Sequence, residues 1–62
     1  MSAPTKTEVR RSLADLRRSM RFLNEMLSDG DWQNAFRAAQ DLVGTACVIE
    51  ETLAEHPEVA AG

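Results

Sequence analysis

An all-α fold, an antiparallel helical hairpin over about residues 5–28 and 31–55 that dimerises into a four-helix bundle, is predicted by three observations. First, Val9, Leu13, Leu16, Met20, Leu23 and Leu27 recur at spacings of 4, 3, 4, 3 and 4, and Trp32, Ala35, Ala39, Leu42, Ala46, Ile49 and Leu53 at 3, 4, 3, 4, 3 and 4. Such alternation draws an apolar stripe down one side of a helix and demands a partner helix. Second, Ser28-Asp29-Gly30-Asp31 separates the two seams with a turn. Third, the chain has 62 residues with one cysteine and one histidine, so neither a disulfide set nor a metal cluster can staple it. At this size a single core barely offsets chain entropy, and association with a second copy is the remaining way to bury enough surface.

The elements follow in order. Residues 1–4 read as a disordered lead. Thr5 with Glu8 three residues later forms a capping-box pattern, in which hydroxyl and carboxylate satisfy each other's backbone amides. The first helix starts there and continues to about Ser28, uninterrupted by Gly or Pro. Gly30 can take the left-handed conformation that closes a helix, and Asp31 can cap the next one. The second helix runs from about Trp32 to about Glu55. His56-Pro57 ends it, because the residue before proline is pushed out of helical geometry, and His56 there reads as a positive charge at the helix C-terminus. The hairpin domain thus covers 5–56, and 57–62 reads as a frayed tail.

Antiparallel pairing about the turn sets Leu23 against Ala35, Met20 against Ala39, Leu13 against Ala46 and Val9 against Ile49. Large residues face small ones, as interdigitated packing prefers. Phe36, Val43 and Cys47 widen the second stripe beyond its seam, and Phe22 and Met26 do the same near the turn. A stripe this wide suits a helix that contacts more than one other. Phe22, Met26, Trp32, Phe36, Val43 and Cys47 are therefore the expected self-association or partner interface, with the aromatics and Met26 clustered by the turn and Cys47 a buried structural thiol. Gly44 is a mid-helix cost of about 1 kcal/mol relative to alanine, unless Ala38, Gly44 and Thr45 form a smooth strip for another backbone.

Charge is divided unevenly. Residues 6–21 hold six basic side chains against two acidic ones, a net +4, whereas the remainder holds one basic against eight acidic, a net −7, giving −3 overall. Arg10, Arg17 and Arg21 lie along one flank of the first helix and Arg11 and Arg18 along another, which makes a possible nucleic-acid or partner face. The competing reading is internal pairing, with Arg10 near Glu50 and Arg17 or Arg18 near Asp41. Two heptad-patterned helices and an acidic turn, Asp29-Gly30-Asp31, resemble in layout the plasmid-encoded Rop family. That resemblance, which covers architecture alone, implies a hairpin dimer that binds paired RNA loops through one face, with Phe22 as the counterpart of an RNA-contacting phenylalanine.

Catalysis is not expected. Glu50, Glu51 and Glu55 cluster, yet carboxylates do acid and base work only in a cleft that excludes water, and a slender hairpin offers none. No nucleophile with its base, phosphate-cradling loop or metal-ligand set is present, so neither cofactor nor metal is expected. Residues 1–5 contain no apolar export core, and no apolar run approaches the roughly 20 residues that span a bilayer. The unpaired thiol fits a reducing cytoplasm. The sequence therefore predicts a small cytoplasmic interaction module, a homodimeric bundle that acts as a phage- or plasmid-type regulator or inhibitor of a host protein. A Rop-like dimer that binds RNA or DNA through the arginine-rich face is the alternative.

Overall fold

A computed structural model describes residues 3–62, and among these the secondary structure is wholly helical. Helix α1 spans Lys6–Asp29, α2 Trp32–Ala54, and a single turn, α3, Pro57–Ala60. The first two pack antiparallel as a rod with extents of 44 × 18 × 16 Å. Of the expected N-terminal lead, residues 1 and 2 lie outside the described residues, and 3 and 4 precede the Thr5 cap.

The boundaries follow from their caps. The Glu8 amide donates to Thr5 Oγ1 at 3.2 Å and the Thr5 amide to Glu8 Oε2 at 3.3 Å, so both halves of the capping box form. At the far end Gly30 adopts φ 71°, ψ 19°, which lets its amide donate to Leu27 and the Asp31 amide to Met26, the pairing of a Schellman motif. Asp31 then caps α2: one carboxylate oxygen accepts from the Asn34 amide at 3.2 Å and the other from the Asn34 side chain at 2.7 Å. A single residue, Gly30, therefore reverses the chain between the C-terminus of one helix and the cap of the next.

The tail, read from the sequence as frayed, holds one further helical turn. His56 takes an extended conformation, ψ 134°, as proline requires of its predecessor, and its Nδ1 accepts the Glu58 amide at 3.2 Å. With Pro57 at the first helical position, where a missing amide costs nothing, the chain makes one more turn. His56 thus caps α3.

The contact between α1 and α2 follows the predicted seam in part, with Val9, Leu13, Leu16, Leu23, Ala35, Ala39, Leu42 and Ile49 of it shielded. Ser12, Leu16, Ser19, Leu23 and Met26 of α1 are shielded, as are Ala35, Ala38, Leu42, Thr45, Ile49 and Thr52 of α2, while Met20, Leu27, Trp32, Ala46 and Leu53 are exposed. Only Ala38 and Ala35 are buried, at 1% and 5% exposure. Small side chains, Ser12, Ser19, Ala35, Ala38, Thr45 and Thr52, share the line of contact with the half-buried Leu16, Leu23, Met26, Leu42 and Ile49, while Met20, Leu27, Trp32 and Leu53 are left exposed. As a single copy the hairpin has a core of two alanines.

Candidate interaction faces

Helical geometry sorts the side chains that flank the contact into two broad faces. Advancing about 100° per residue, Val9, Leu13, Met20 and Leu27 fall to one side of the contact line of α1, and Arg11, Asp15, Arg18 and Phe22 to the other. Helix α2 returns in the opposite direction, so Trp32, Ala39, Val43, Ala46 and Leu53 join the side of Met20 and Leu27. Asp41, Gly44 and Val48 join the side of Asp15 and Arg18. A shallow groove lined by Asp15, Arg18, Ser19, Asp41, Gly44 and Thr45 marks this second, charged face, where these stretches of α1 and α2 run side by side.

The first face is apolar and open. Trp32 is 71% exposed, Val43 64% and Met20 53%, with Phe36 at 65% on its outer border. Leu13, Leu16, Leu42 and Ile49 are half-buried beneath them. Water over this surface costs roughly 25 cal/mol for each Å² of apolar area, which makes it a surface that a second protein would cover.

The six residues expected at one interface are divided. Trp32 and Phe36 line a common depression with Arg37, and Val43 follows them along α2. Phe22 lies instead on the charged face, in a depression with Arg18, Ser19, Ala38 and Asp41, so within one hairpin it does not join Trp32 and Phe36. Met26 is half-buried at the helix contact. Cys47 is exposed, a correction with a simple cause: it projects almost directly away from α1. Met20, Leu27 and Leu53 belong to the apolar face although they read as seam residues.

Arg10, Arg11, Arg17, Arg18 and Arg21 all lie on the outward half of α1. Among the described residues the one ion pair is Arg18 with Asp15, at 3.5 Å one turn apart in α1. The expected pairs from Arg10 to Glu50 and from Arg17 or Arg18 to Asp41 are not formed, although Arg18 and Asp41 border the same groove. Exposed pairs are worth little, because holding two long side chains together costs entropy that water-screened attraction scarcely repays. Gly44 has open space where a Cβ would stand and shares no strip with the buried Ala38.

Among the described residues no three His, Cys, Asp or Glu side chains gather as metal ligands, and no helix is long and apolar enough to cross a membrane. The class defined by fold and faces is a two-helix hairpin with one apolar and one charged face. Compared with protein-family models, curated proteins and solved structures, the chain finds no match.

Proposed function

We propose that the protein is a non-enzymatic interaction module of the cytoplasm, a homodimer in which two hairpins join their apolar faces as a four-helix bundle. Its charged faces then remain for other macromolecules, in the manner of a small regulator or inhibitor of a host protein. The observation that carries this reading is the open face of Met20, Leu27, Trp32, Val43 and Leu53 on a hairpin that buries only two alanines. Area supports it. The chain exposes 5100 Å², whereas a compact monomer of this length exposes about 4,000 Å². The surplus, about 1,100 Å², exceeds the roughly 800 Å² that each partner contributes to a standard interface.

Light scattering on a dilution series tests it, with Val43→Glu as the comparison. The wild-type chain is expected at twice its monomer mass at micromolar concentration, and the variant, which would bury a charge in the interface, as a monomer. A wild-type chain that stays monomeric and helical throughout would overturn the homodimer.

A second reading rests on the five outward arginines of α1, of which only Arg18 has an acidic partner within the described residues. Such an array suits a phosphate backbone. If it binds RNA or DNA, affinity falls steeply with salt, and Arg17→Glu with Arg18→Glu abolishes it. Binding indifferent to both would exclude the reading.

A further inference from the structure

We propose that the two copies dock with their turns at the same end, so that α1 of each hairpin lies along α2 of the other. This rests on the homodimer reading above and adds the direction of docking. A two-fold axis can join identical faces of a hairpin in two ways that keep neighbouring helices antiparallel. An axis along the rod brings the turns together and sets α1 over α2 of the second copy. An axis across the rod sends the turns to opposite ends and sets α1 over α1 and α2 over α2.

Side-chain volume separates the two. The middle of the apolar face carries Leu13, Leu16 and Met20 on α1 but Ala39, Val43 and Ala46 on α2. With the turns together, Leu13 meets Ala46 of the second copy and Met20 meets its Ala39, each large side chain over a small one. With the turns apart, Leu13 crowds Met20 of the second copy, while Ala39 over Ala46 leaves a hollow. Cores fill by the first pattern, and a void or a clash each weakens packing.

Charge points the same way. Antiparallel pairing about the Gly30 turn brings Arg10 and Glu50 to about the same level; at about 100° per residue Glu50 repeats the phase of Trp32 and so lies within the apolar face, with Arg10 beyond Leu13 at its outer border. Within one copy they make no ion pair. With the turns together, Arg10 of each copy faces Glu50 of the other across that border, twice by symmetry. With the turns apart, Arg17 near the midpoint of α1 meets Arg17 of the second copy, and Glu50 lies against its Phe36. Like charges and an unpaired carboxylate both oppose that arrangement.

Pulsed electron paramagnetic resonance on the full-length dimer reads the direction. A nitroxide is carried on Ser28→Cys beside the turn, with Cys47→Ser removing the native thiol. One distance below about 30 Å is expected, since bundled helix axes lie about 8–10 Å apart. A distance near the 44 Å length of the rod would overturn the docking direction while leaving the homodimer intact. A charge exchange gives an independent measure. Arg10→Glu and Glu50→Arg are each expected to weaken the dimer about tenfold, and their combination to restore it to within about threefold. Weakening that simply accumulates in the double variant would overturn the Arg10 to Glu50 contact, and with it the proposed arrangement. A chain that never dimerises would defeat both proposals, and is told apart by mass alone.

Discussion

Gly30 and Gly44 invite the same substitution with opposite outcomes. Gly30 holds φ 71° in open space, so alanine there meets no neighbour but must adopt a left-handed conformation that costs L residues about 1–2 kcal/mol. Gly44 is helical, and a Cβ would likewise meet nothing within 4 Å. Alanine at that position restricts the unfolded chain without straining the folded one, and should stabilise by about 1 kcal/mol. Urea unfolding at fixed protein concentration checks both: the midpoint falls for Gly30→Ala and rises for Gly44→Ala. A fall at Gly44 would mean that a second backbone approaches it in the assembled protein. Single residues also account for the chain's punctuation. The Thr5 and Glu8 box, the Asp31 cap and the closing Gly30 are each legible because one side chain or one backbone angle satisfies a nameable set of amides and carbonyls.

Helices were legible at the level of elements, and the contact between them only in part. The heptad in each half specifies that an apolar stripe exists, but Ser12, Ser19, Thr45 and Thr52 do not register as apolar and so escape a search for hydrophobic spacing. They nevertheless sit with Ala35 and Ala38 along the line where α1 meets α2. The contact leaves Met20 and Leu27 of α1, with Trp32 and Val43 of α2, on an open face. Charge pairing misled for a related reason: equal level along a hairpin does not bring exposed side chains together, and Arg18 takes Asp15 on its own helix. Cys47, expected as a buried thiol within the self-association or partner interface, is exposed on the single hairpin because it projects away from α1. If close approach is what the small contact provides, Ala38→Leu must force the helices apart. Overpacking of this kind costs about 1–3 kcal/mol. Thermal unfolding should show the loss at a fixed concentration, and Ala14→Leu, on the exposed outer side of α1, should lack it.

For the whole molecule, the surplus of exposed surface and the split of charge meet in the direction of docking. With the turns together the two α1 helices lie at diagonal corners, and their arginines face away from one another on opposite edges of the bundle. With the turns apart the same arginines would form one continuous basic strip, so the docking direction also decides whether a nucleic-acid backbone meets ten arginines in one array or five at a time. Trp32 reports on this assembly directly, because it is the sole tryptophan and stands 71% exposed at the turn end of the apolar face. Docking with the turns together gathers both copies' Trp32 and Leu27 at one end and removes the indole from water. Its emission should therefore shift to the blue as concentration rises, and iodide should quench it less, with a midpoint matching that of the mass transition. Leu27→Ala opens that end of the interface and should reduce the shift while leaving the helical content of the hairpin in place. Emission that stays at its water-exposed position while the mass doubles would mean that the copies join through another surface, since no two-fold pairing of the apolar faces with the turns together leaves Trp32 in solvent.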